Sequence, residues 1–101
     1  MDADQAALGL LGIARRAGRA VIGARAVRAA SAKGVLHLVV VARDAGHNAV
    51  ARLGDPGSPV VRIGSRDELG SAVGRDVAAV VGITERALAD RVRSLMAEPV
   101  E

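Results

Sequence analysis

The 101-residue chain contains no cysteine, phenylalanine, tyrosine or tryptophan. Without thiols it has no disulfides, no thiolate nucleophile and no cysteine-ligated zinc. Without aromatic rings the core must be aliphatic, and bases cannot be stacked on aromatic platforms, the usual device of single-strand binders. Histidine occurs only at His37 and His47, and two separated histidines make no metal site. Lysine occurs once, at Lys33, so arginine supplies nearly all the positive charge. Long apolar runs are also absent. "ALGLLGIA" falls well short of the roughly 20 residues that span a bilayer. The opening "MDADQ" is acidic where a secretory signal is basic, so a cytoplasmic protein is expected.

Half of the residues are hydrophobic, enough for one buried core, and the length fits a single domain over residues 1–101. At this size folding hides only about two-thirds of the unfolded surface. The net charge of +3 is unevenly placed. Residues 1–34 carry five arginines and Lys33 against Asp2 and Asp4, whereas residues 35–101 carry eight arginines against nine acids. The excess is concentrated in "LLGIARRAGRAVIGARAVRAASAKG", residues 10–34. Asymmetry of this kind points to an anionic partner such as nucleic acid. A membrane-surface anchor would place bulky apolar residues on one helical face, and this stretch offers mainly alanine.

Periodicity predicts a first helix from about Gln5 to Ala17, with Leu10, Ile13, Ala14 and Ala17 facing the core and Gly18 ending it. "RAVIG" is a short extended segment. A second helix runs from about Ala24 to Ala32, with Ala26, Val27 and Ala30 inward and Arg25 and Arg28 together on the other side. "VLHLVVVA", residues 35–42, reads as a strand covered on both faces, with His37 a core or strand-edge residue. A third helix lies within "RDAGHNAVARL", ending before the turn "GDPGSP". "VVRIG" is a strand, and "SRDE" is a capping box in which Ser65 and Glu68 open a short helix. "VAAVVGI" is a second buried strand. Thr84 is expected to cap a final helix with the stripe Leu88, Val92, Leu95 and Met96. Alternating helices and strands with short loops predict a sheet with helices on both faces.

Nothing assembles into a catalytic constellation. Asp44 and His47 stand three apart at a strand-to-helix corner, where Asp44 reads more simply as a helix cap. There is no G-x-S-x-G elbow and no G-x-x-x-x-G-K-[ST] loop, and Gly64, Gly70 and Gly74 do not match G-x-G-x-x-G. A response-regulator receiver is larger and needs an acidic cluster that this chain lacks. No catalysis, metal or cofactor is expected.

Four stretches resemble one family in order along nearly the whole chain: "LLGIARRAGRAVIGARAV", "AKGVLHLVVVARDA", "PVVRIGSRDELGSAVG" and "VAAVVGITERALADRV". They are similar to bacterial members of the kink-turn RNA-binding ribosomal protein family (L-seven-Ae/L-thirty-e). The resemblance implies a three-layer α/β/α sandwich around a four-stranded mixed sheet. It also implies a non-catalytic RNA binder that uses the start of its second helix and the loop before its last strand. Its implied partners are structured, kink-turn-like RNA and ribosome or ribonucleoprotein components, with no DNA and no membrane.

Carried over by position, the helix-start glycine falls on Gly23, followed by Ala24. The family's Asn-Glu pair falls on Arg25 and Ala26, and its lysine one turn later on Ala29. Alanine cannot supply the hydrogen bonds that Glu and Lys direct at sheared G·A pairs. Arg25 and Arg28 can contact phosphate or a guanine edge. The acidic corner falls on Asp44 to Gly46, and the second RNA-facing loop on Gly74, Arg75, Asp76, Val77 and Ala78. The alanines also suit a different reading, an interaction or structural module that keeps the fold without specific RNA recognition. The fold further occurs as the recognition domain attached to RNA methyltransferases, and here the methyltransferase portion is lacking.

Overall fold

The computed structural model of the protein describes residues 2–97. Helices and strands alternate in the expected order: α1 (Ala3–Arg16), β1 (Ala20–Ile22), α2 (Ala24–Ala32), β2 (Leu38–Val41), α3 (His47–Leu53), β3 (Val60–Arg62), α4 (Arg66–Ala72), β4 (Val80–Ile83) and α5 (Arg86–Ala97). The strands form one sheet in the order β1-β4-β2-β3. β4 lies antiparallel to both of its neighbours, and β2 pairs with β3 in parallel, so the sheet is mixed.

Strand side chains alternate between faces, and the two central strands are apolar on both. Leu38, Val40, Val81 and Ile83 join Ala7, Leu11 and Ala14 of α1, Leu69 of α4 and Val92 of α5 in one core. Val39, Val41 and Val80 join Val27 and Ala30 of α2 and Leu53 of α3 in the other. The result is the three-layer α/β/α sandwich, with α1, α4 and α5 on one face and α2 and α3 on the other. Gly82 keeps the second core tight. A Cβ there would lie 2.8 Å from Leu36 Cδ1 and 3.1 Å from Val27 Cγ2.

Several local expectations need correction. The inward face of α1 is Ala7, Leu10, Leu11 and Ala14, while Ile13 and Ala17 are exposed. The stripe is rotated by about 60° because α1 packs against α4 and α5. The apolar run at residues 35–42 contributes only four residues to the sheet. Val35 is exposed, and His37 sits just before β2, half-buried, with its backbone N–H donating to the Ile83 carbonyl. Thr84 lies two residues before α5, and its N–H donates to the Arg19 carbonyl. The capping box is present as expected. The Ser65 hydroxyl accepts from Glu68 N–H, and the Glu68 carboxylate accepts from Ser65 N–H, both at 3.0 Å.

Candidate nucleic-acid interface

The strand directions bring distant segments to one edge of the sheet. The C-terminal ends of β1, β2 and β3 and the N-terminal end of β4 all lie there. Hydrogen bonds tie together the segments that meet at this edge. Gly23 N–H donates to the Val80 carbonyl at 2.8 Å, and Ala42 N–H to the Ala79 carbonyl at 2.9 Å. Arg66 N–H donates to Asp44 Oδ1 at 2.8 Å, and Ala78 N–H to the Arg66 carbonyl at 3.0 Å. The start of α2, the corner at Asp44 and the end of the 74–78 loop are therefore held as one surface.

Gly23 is the N-cap of α2 at φ +94° and ψ 155°, a conformation in which a β-carbon is strained. It offers no side chain to cap the helix, and the first turn of α2 contains no acid. The first helical bond runs from Val27 N–H to the Gly23 carbonyl, leaving the N–H groups of Ala24, Arg25 and Ala26 aimed out of the helix end. That end carries the positive pole of the helix dipole. α1 and α4 are finished differently. Asp2 caps α1, with Asp4 in its first turn, and Ser65 caps α4, with Asp67 and Glu68 in its first turn. Those two starts are neutralised internally, whereas the starts of α2 and α3 carry neither a side-chain cap nor a first-turn acid.

Arg25 and Arg28 are both exposed. Among the described residues, ion pairs engage Arg19 with Glu85, Arg43 with Asp4, Arg66 with Asp44 and Arg86 with Asp90, and none involves Arg25 or Arg28. Ala29 stands one turn after Arg25 on the same side of α2, and Ala26 lies further round the helix. With Val21, Lys33 and Val35 they line an open groove of about 480 Å³ along the outer edge of β1.

The 74–78 loop returns along α4. Gly74 (φ +75°) follows the helix as its left-handed terminator. Gly74 N–H donates to the Ser71 carbonyl and Arg75 N–H to the Gly70 carbonyl, the double bond of a Schellman motif. Arg75, Asp76 and Val77 are exposed, Val77 at 56%. Ala78 is buried beneath the loop. The exposed side chains of the loop are thus two charges and one apolar residue, on a backbone fixed at both ends.

Asp44 caps a helix, though not the one that follows it. Its carboxylate accepts from Arg66 N–H of α4, and α3 begins at the uncapped Gly46. Asp4 and Arg43 complete the corner, and sequence reasoning missed both. Arg43 Nε and Nη2 donate to the Asp4 carboxylate at 2.9 and 2.8 Å, and Gly64 N–H donates to it at 2.9 Å. The Arg43 guanidinium, aided by Gly64 and opposed by partial burial, holds the Asp4 carboxyl below its ordinary value. Among the described residues no group of histidine, aspartate and glutamate could hold a metal ion, and no helix is long and apolar enough to cross a membrane.

No family model matches the sequence. No curated protein matches it either. Solved structures do. A protein with unknown function from Bacillus halodurans is 30% identical and superposes with a TM-score of 0.81, over 91% of this chain and 97% of that one. A 15.5 kD RNA-binding protein from Giardia lamblia is 26% identical, with a TM-score of 0.69 over 87% of this chain and 79% of its own. The chain therefore belongs to the family of the Bacillus halodurans protein, and it shares its fold with the RNA-binding protein of Giardia lamblia.

Proposed function

We propose that the protein is a non-catalytic, cytoplasmic RNA-binding protein of the kink-turn-binding ribosomal type. On this reading it grips structured RNA through Gly23–Arg28 and the 74–78 loop. The observation that carries this is the convergence, at one sheet edge, of an uncapped helix start with two arginines free of carboxylates among the described residues. An anion at that helix end receives three N–H groups and the dipole, and Arg25 and Arg28 add charge-assisted bonds to phosphate or a guanine edge. Val77 supplies apolar support for an extruded nucleotide, so aromatic stacking is dispensable. The similarity to the Giardia lamblia RNA-binding protein supports RNA as the partner. Asp44 serves α4, which favours binding over acid–base chemistry at this corner.

Ala26 and Ala29 leave G·A recognition to the arginines and the backbone. The deciding measurement compares a kink-turn RNA, a straight duplex and a kink-turn without its G·A pairs. Preference for the first is expected. Equal weak binding to all three rejects kink-turn specificity, and no binding at low salt rejects RNA binding. In the latter case the groove along β1, lined by Ala26 and Ala29, favours the interaction-module reading.

A further inference from the structure

A second cationic feature lies where the 74–78 loop begins. α4 runs beside α1 in the same direction. Gln5 Nε2 donates to Glu68 Oε2 near their starts (3.3 Å), and a Cβ on Gly12 would lie 3.3 Å from the Ala72 carbonyl oxygen near their ends. Both helices finish together, and there the Arg15 guanidinium covers Gly74, 2.8 Å from where a Cβ would stand. Arg16 is the last residue of α1, and Arg75 directly follows Gly74. All three arginines are exposed, and among the described residues no carboxylate pairs with any of them.

Part of this charge answers the helix ends. Two helix C-termini amount to about one negative charge, and Asp76 adds another. Three guanidiniums exceed both. The surplus sits on solvent-facing guanidiniums, an arrangement suited to phosphate oxygens. The loop links this patch to the sheet edge, since Ala78 is bonded to Arg66 at the start of α4. The seven residues of α4 put the patch about 10 Å from the start of α4 at that edge, with α2 beyond it on the other face of the sheet.

We propose that Arg15, Arg16 and Arg75 form a second contact for the phosphate backbone, gripping a helical stem of the RNA whose bend is held at the start of α2. This rests on the RNA-binding reading above. The stem is held by charge and shape, so the contact adds affinity and orientation without sequence preference.

The test uses the full chain, a kink-turn RNA with minimal stems and one with both stems lengthened, titrated with salt. Wild type is expected to bind the long RNA more tightly and with a steeper salt dependence. Arg15→Gln/Arg16→Gln is expected to remove most of that gain, lowering the salt slope by about 0.7–0.9 for each arginine replaced. Binding of the short RNA should stay unchanged, and Arg15→Lys/Arg16→Lys should keep the long-RNA gain. Because Arg15 covers Gly74, Arg16→Gln alone is measured alongside, and its slope should fall by about 0.7–0.9. If the Gln variants match wild type on the long RNA while Arg25→Glu/Arg28→Glu abolishes binding, the patch only neutralises helix ends and the proposal fails alone. Equal weakening on short and long RNA also overturns it. If wild type binds neither RNA at low salt, the RNA-binding reading itself fails.

Discussion

A side chain on Gly70 would place its Cβ 2.7 Å from the Cα of Val77, so the loop before β4 rests directly on α4. That contact sets the height of the loop over the helix. Gly70→Ala must push the Val77 backbone away, and it should cost about 1–3 kcal/mol in urea unfolding. Gly9 is the control. It is an exposed residue of α1 with nothing within 4 Å of its Cβ position, so Gly9→Ala should gain about 0.5–1 kcal/mol from helix propensity alone. Equal effects at the two positions would mean that the loop does not press on α4.

Arg25 and Arg28 are exposed and make no ion pair among the described residues, so the fold does not depend on them. Arg25→Glu/Arg28→Glu should leave stability within about 0.5 kcal/mol of wild type. Affinity for kink-turn RNA should fall by about tenfold or more, with a shallower salt dependence. Circular dichroism and filter binding on the same preparation separate the two effects. Unchanged RNA affinity would move the interface away from the start of α2.

Asp4 joins three parts of the corner through Arg43 and the Gly64 N–H. Its carboxyl titrates below the ordinary value when folded, so its contribution is present above the unfolded value of about 3.9 and is lost as pH falls through the lower folded value. Asp4→Asn should therefore cost about 1–2 kcal/mol at pH 7, a figure kept modest because Arg43 is half-exposed. The gap between variant and wild type should narrow as pH falls below the ordinary aspartate value and through the lower folded one. A gap independent of pH would assign the loss to packing.

The order of elements and the Ser65–Glu68 box were legible because both are local. A box closes within three residues, and the valine-rich runs announce strands wherever they pair. The face of α1 was not. Leu10–Ile13–Ala14–Ala17 and Ala7–Leu10–Leu11–Ala14 have the same helical spacing, and only packing against α4 and α5 selects the second. Asp44 was legible as a cap but not as a second acceptor at the start of α4, beside Ser65, because Arg66 lies 22 residues away. The Asp4–Arg43 pair spans 39 residues and leaves no local mark at all. At the candidate site the family resemblance supplied positions, and the structure supplied what spacing cannot. Gly74 terminates a helix, and Ala78 is buried.

Gly23 is where backbone geometry and the proposed binding meet. At φ +94° and ψ 155° it occupies a region essentially restricted to glycine, although a Cβ there would meet nothing within 4 Å. Gly23→Ala is therefore strained by backbone alone and should cost about 1–3 kcal/mol. The bond from Gly23 N–H to Val80 anchors the helix start to β4, so relief of the strain must rotate the first turn of α2. RNA affinity should then drop even at temperatures where the variant remains folded, because the N–H groups of Ala24 to Ala26 no longer converge. Gly18→Ala supplies the comparison. Gly18 also has positive φ (+72°) and open space around it, but it lies at the end of α1. A similar loss of stability at both sites, with loss of RNA binding only at Gly23, is the expected result. Retained affinity in folded Gly23→Ala would show that the helix end takes no part in binding.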